Sequence, residues 1–278
     1  MTSSNQLNRM QFIEFILYWE GSIQNKDLVR QFGISRQKAW QDLLLYRKNH
    51  PEQFIDANKK SVYIAKQEFY PQKFVPEIDL YLEWIQSPYC FHQDNFSKKD
   101  STSNPLRPSR NVAVSLIRKL VKAIKDKQRV EVDYVSLSNP DREGRIISPF
   151  TFVNTGVRWH IRGWCEKHKE YRDFVLSRFR GDVDFLGNSN KTGMDDIAWN
   201  TEITLILSPD RRLSKAQQEV IANDYQMKNS RLELKTKAAL AHYLLQQIQV
   251  NLKTLDANPE AQQLELVNLK DVKKWLFH

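Results

Sequence analysis

The sequence holds no run of about 18 apolar residues, so no transmembrane helix is expected. Its first residues, Met1-Thr2-Ser3-Ser4-Asn5, lack the basic and apolar stretches of a secretory signal. Cysteine is scarce: Cys90 and Cys165 are too few for a disulfide framework. Together these point to a cytoplasmic protein with no membrane partner. There is no glycine-rich loop of the kind that cradles phosphates. Cys90 with His92, and Cys165 with His168, each lack the second pair that a zinc site needs. Asp195-Asp196 falls in a loop with no spacing for a two-metal site. Nothing pairs a histidine with a nucleophile or two carboxylates across a cleft. No catalytic residue, metal or cofactor is therefore expected. Acidic residues are the scarcer charge, 33 Asp and Glu against 42 Lys and Arg, a net +9. That balance favours a polyanionic partner such as nucleic acid. The 278 residues suit two or three domains.

What is present begins with helical spacing over residues 7–19, at Met10, Ile13, Ile16 and Leu17. Asn25 is placed to cap a second, short helix through Phe32, which Gly33 stops. Ser35 caps a third, Arg36 to Lys48. This is a helix-turn-helix pattern, with Leu28, Ile34, Ala39 and Leu43 as its small core. On the third helix Ala39, Trp40, Leu43 and Leu44 are expected to turn inward. Arg36, Gln37, Lys38 and Gln41 are left outward, able to bond base edges and phosphates. After Pro51, Phe54-Ile55-Asp56 and Val62-Tyr63-Ile64 flank a basic tip, the wing of a winged helix. Ser35, Arg36, Gln37, Lys38, Gln41, Lys59, Lys60 and Tyr63 are the candidate contacts to double-stranded DNA. The alternative is an ordinary helical pair with a solvated charged face. A short helix over 77–86 and a Pro-, Ser- and Asn-rich linker follow.

Asn111 to Lys125 is amphipathic, and then strands come close together: 129–136, 143–153, 157–165 and 171–176. Such spacing suggests a small bent sheet or barrel. Residues 181–193 read as a loop. In the third strand the period of two puts Val157, Trp159, Ile161 and Cys165 on one face, and Arg158, His160, Arg162 and Trp164 on the other. Half-buried guanidinium groups need partners. Either Glu131, Asp133 and Asp173 supply them, or an anionic ligand does. Eight arginines lie between Gln128 and Gly181, with Tyr134 and Trp164 as stacking surfaces, a composition suited to nucleotides or single strands. After residue 200, strand, helix, strand, helix and strand alternate, then a short last helix.

The triplet Trp159-His160-Ile161 resembles the core of the WYL family of bacterial transcription regulators. Arg158-Trp159-His160, Tyr134-x-Ser136 and Arg172-Asp173-Phe174-Val175-Leu176-Ser177-Arg178 are similar to the branch found beside phage-defence systems of the BREX and CBASS kinds. The chain departs from that branch at Phe150, where a histidine would follow Ser148-Pro149. The resemblance implies an α+β multidomain chain. Residues 1–76 would be the winged helix-turn-helix and 77–110 a connecting helix and linker. Residues 111–190 would be a WYL domain of Sm-like barrel form, and 200–278 a compact α/β dimerisation extension. It also implies a homodimer that represses a defence operon at an inverted-repeat operator. A nucleotide or oligonucleotide effector would meet Tyr134, Ser136, Arg158, His160, Arg162, Arg172 and Arg178. A nucleic-acid-binding Sm-like module, or a nucleotide-processing enzyme, is the alternative.

Overall fold

The computed structural model describes residues 4–55, 62–87, 91, 112–137, 140–141, 143–252 and 258–276. Its elements open with α1 (Ser4–Glu20), β1 (Ser22–Gln24), α2 (Asn25–Phe32), α3 (Arg36–Asn49), β2 (Phe54–Ile55), β3 (Val62–Ala65) and α4 (Ile78–Gln86). There follow α5 (Val114–Lys125), β4 (Gln128–Tyr134), β5 (Glu143–Asn154), β6 (Trp159–Cys165), β7 (Glu170–Val175) and β8 (Phe179–Asn188). The chain closes with α6 (Ile197–Asn200), β9 (Glu202–Pro209), α7 (Lys215–Asp224), β10 (Leu232–Lys237), α8 (Ala241–Gln247), β11 (Leu264–Leu266) and α9 (Leu269–Leu276). They fall into two units, Met1–Arg145 with Ser177–Gly187, and Ile146–Leu176 with Asn188–His278.

In the first unit α1 is the central rod. Met10, Phe12, Ile13, Phe15, Ile16, Leu17 and Trp19 are all buried, as are the polar Arg9, Gln11 and Glu14, so α1 is covered nearly all round. Phe12 and Phe15 meet Trp84 edge-on at 5.6 and 5.5 Å, and Trp19 stacks on Tyr81 at 5.2 Å. Residues 77–86 are therefore not a connector: α4 belongs to the winged-helix core, past the expected boundary at 76. Strands β1, β3 and β2 make a small antiparallel sheet in that order. The helix α2 is capped by Gln24 rather than Asn25, whose position is already helical. The Gln24 N–H donates to the Asp27 carboxylate at 2.8 Å.

The expected inward stripe of α3 is corrected as well. Ala39, Asp42, Leu43 and Tyr46 are buried, while Trp40 and Leu44 are exposed. Two polar anchors set this rotation: Asp42 is drawn in by Arg9 and Tyr46 by Glu14.

The same unit holds α5, whose Leu116, Ile117, Leu120, Val121 and Ala123 are buried. The Arg118 guanidinium donates to the Tyr18 and Leu17 carbonyls at 2.6 and 3.2 Å, satisfying the C-terminal end of α1. The stretch read as a loop over 181–193 begins as strand β8. Its burial is confined to Phe179 and Val183, and two glycines and two aspartates hide the alternation.

In the second unit β5 pairs antiparallel with β6, and β6 with β7. The β5–β6 register shifts between Pro149 and Thr151, so Phe150 sits on a bulge. β9 lies between β10 and β11, both antiparallel to it. Leu205, Leu207, Leu213, Ile221, Leu245 and Leu264 share one core there. The helix read as 237–249 is α8, opening at Ala241 after a single tight turn over 238–240. Among the described residues β7 has β6 alone as neighbour, and β8 has β4 alone.

Candidate nucleic-acid interface and effector site

Gly33 takes φ 62°, and its N–H donates to the Val29 carbonyl at 2.9 Å, which ends α2 and turns the chain. The Ser35 hydroxyl then accepts from the Lys38 N–H at 3.2 Å and starts α3. Behind α3, Arg9 Nε lies 2.6 Å from the Asp42 carboxylate, and Lys38 Nζ lies 3.4 Å from its other oxygen. The Tyr46 hydroxyl donates to Glu14 at 3.0 Å, and the Gln72 and Lys73 N–H groups donate to the same carboxylate at 2.9 and 2.7 Å. Burial and the Glu14 charge push the Tyr46 phenol far up, so it stays a donor. The inner face of α3 is thus fixed by charge and hydrogen bonds, not by apolar packing alone.

On the outer face Arg36, Gln37 and Gln41 are exposed and Lys38 is half-buried, as the sequence pattern expects; Ser35 is exposed as the cap. Tyr63 is corrected: it is 8% exposed, edge-on to Phe54 at 6.2 Å, a core residue of the wing sheet. Alternation in β3 turns Tyr63 and Ala65 inward. Lys59 and Lys60 lie outside the described residues. Sequence reasoning missed Trp40, and also Lys26 and Arg30, exposed on α2.

The seven residues expected to meet an effector fall in different units. In the first, the Val135 N–H donates to the Arg178 carbonyl at 3.1 Å, which sets Tyr134, Ser136 and Arg178 near one another. Tyr134 is buried, edge-on to Phe179 at 5.3 Å and under the Arg145 guanidinium at 5.8 Å. Its ring is packed rather than open.

In the second unit Arg162 is 6% exposed and fully engaged by carboxylates. Its Nε and Nη2 donate to Asp196 at 2.6 and 3.3 Å, and its Nη1 donates to Asp173 at 3.0 Å. Desolvation works against its charge, yet these bonds hold its pKa above the ordinary value. Tyr243 donates to the other Asp173 oxygen at 2.9 Å, and its ring tilts on His160 at 5.4 Å. Burial, then the Asp173 charge, push the Tyr243 phenol up. His160 is buried in this group. Arg172 is exposed and paired with Glu170. The carboxylate reading therefore holds for Arg162 and Arg172, with Asp196 and Glu170 as partners that the sequence pattern did not single out. Asp196, in a stretch expected to be a loop, is buried and caps α6 by accepting from the Trp199 N–H at 3.1 Å. Arg158 is half-buried just before β6, and like Arg178 it makes no ion pair among the described residues.

Phe150 fills the place expected for histidine. It meets Trp199 at 5.5 Å and Tyr171 at 5.9 Å, edge-on to both. A Cβ at Gly193 would stand 2.5 Å from its ring, so this aromatic cluster needs glycine there.

Three family descriptions match along the chain: "BrxR transcriptional regulator winged helix-turn-helix domain" over residues 5–87, "WYL domain" over 115–181, and "BrxR transcriptional regulator, C-terminal dimerization domain" over 202–272. The DNA-binding transcriptional repressor CapW of Escherichia coli (strain KTE188) is 32% identical over 271 residues, 96% of this chain and 90% of its own. The chain belongs to the CapW family. CapW of Pseudomonas aeruginosa is 30% identical, covering 96% of this chain and 91% of its own, and CapW of Stenotrophomonas maltophilia is 28% identical, covering 98% and 92%. Among solved structures, proteasome accessory factor B/C of Arthrobacter aurescens aligns at 14% identity over 99% of this chain and 48% of its own, with a TM-score of 0.25, too low to bear on the fold. In this CapW-family chain the winged-helix match runs through α4, in keeping with the packing of Tyr81 and Trp84 on α1.

Proposed function

We propose that this CapW-family chain is a homodimeric, DNA-binding transcriptional repressor of a phage-defence operon, released by a nucleotide or oligonucleotide effector. The observation that carries the DNA reading is α3. Its inner face is pinned by Arg9–Asp42 and Glu14–Tyr46, and its outer face offers Arg36, Gln37, Lys38 and Gln41. Two such helices in a symmetric dimer would read an inverted repeat in successive major grooves. Residues 202–272 match a dimerization domain by description, which supports the dimer. The region 111–190 is read as the effector-sensing WYL domain of Sm-like form, and 200–278 as the compact α/β dimerisation extension. Replacing Arg36, Gln37 and Lys38 together by alanine is expected to weaken binding to the chain's own upstream DNA at least ~100-fold, with a stability loss of no more than about 1 kcal/mol from the Lys38–Asp42 contact. Undiminished affinity of that triple variant in a gel-shift titration would sink the DNA reading.

The effector's phosphate contact is assigned to Arg158, the half-buried arginine of the second unit with no ion pair among the described residues. Binding must differ between the DNA-bound and DNA-free forms for regulation to follow. Arg158→Ala is expected to leave operator affinity within about twofold while abolishing release by short single-stranded oligonucleotides. A fully responsive Arg158→Ala protein would remove this residue from the effector site.

A further inference from the structure

We propose that Trp40 is a specificity-determining residue that reads thymine methyl groups in the operator. The inference deepens the DNA-binding reading and rests on it. Trp40 is 48% exposed on α3, in a helix that also exposes Arg36, Gln37 and Gln41 and, further along, Leu44 and Leu45. Arg36 and Gln37 precede it by one helical turn and Leu44, also exposed, follows by one. Helical side chains lean toward the N-terminus, so the indole covers the first turn of α3, beside Arg36 and Gln37. In a helix-turn-helix that turn is the part that meets base edges. Among the described residues no aromatic ring or cation covers the indole.

An indole carries no charge for phosphates, and Arg36 and Lys48 on the same helix are exposed cations suited to them. What an exposed apolar surface there matches is the one apolar group on the major-groove edges of the bases, the C5-methyl of thymine. Contact with it removes water from both surfaces without costing a hydrogen bond. Arg36, Gln37 and Gln41 would supply the polar part of the readout, and Trp40 would distinguish thymine from cytosine or uracil at neighbouring steps.

The experiment compares a duplex from the chain's own upstream region with the same duplex carrying deoxyuridine for every thymine, which removes only the methyl groups. Fluorescence anisotropy is measured for the wild-type chain and for Trp40→Ala. The wild type is expected to prefer the thymine duplex about fourfold for one contacted methyl, and about fifteenfold for one in each of two half-sites. Trp40→Ala is expected to bind both duplexes equally, with unchanged melting temperature. A Trp40→Ala protein that keeps the wild-type preference overturns the proposal, as does a wild type with no preference. A shift in oligomeric state on Trp40→Ala also overturns it, because the indole would then be covered by a second copy. If the wild type binds neither duplex, the DNA reading itself fails, which separates the two.

Discussion

Asp196→Ala is expected to lower the unfolding free energy by about 3–5 kcal/mol, the usual cost of leaving one member of a buried pair alone. Asp196 and Arg162 are both almost wholly buried, and Asp196 accepts two of the three guanidinium bonds to carboxylates. The substitution also uncaps α6, because the Trp199 N–H loses its acceptor. Urea denaturation is the check. A loss below about 1 kcal/mol would mean that water reaches the Arg162 guanidinium and the pair is worth no more than a surface one. Replacing Arg162 and Asp196 together should cost less than the two single changes added, because the stranded charge disappears.

Asp42→Ala is expected to act on both stability and DNA. It leaves the buried Arg9 without its carboxylate, at a similar cost of about 3 kcal/mol, and frees the inner face of α3 to rotate. Operator affinity should fall even at temperatures where the variant is fully folded, since Asp42 itself faces away from the outer surface of the helix. Removing the exposed Arg36 alone should reproduce the loss of affinity with a stability change within about 0.5 kcal/mol. If Asp42→Ala binds operator as the wild type does while folded, the pinning of α3 has no bearing on recognition.

Helices with strong caps and stops were legible in the sequence. Gly33 and Ser35 bound α3 as their chemistry requires, and the C-terminal strands fall close to their observed bounds. What failed were places where polar partners distant in sequence overrode local pattern. The inward face of α3 depends on Arg9 and Glu14, 33 and 32 residues away, so apolar spacing alone turned Trp40 and Leu44 the wrong way. The arginine row of β6 was visible, but its partner Asp196 lies 34 residues on, in a stretch read as loop. β8 escaped because an edge strand with little burial carries little alternation. Tyr63 turns inward because the period of two in β3 places it against Phe54, whatever its distance from the lysines of the tip.

The grip of Arg118 on the Tyr18 and Leu17 carbonyls has a mechanical consequence. The 17 residues of α1 make a rod about 25 Å long. Near one end, Arg9 holds α3; near the other, Arg118 holds α1 to α5. A rod clamped at both ends carries displacement with little loss, because stretching or bending it would break consecutive backbone bonds. Any movement of α5 relative to α3 must therefore tilt α1 as a lever or open the contacts that tie α1 to one of them.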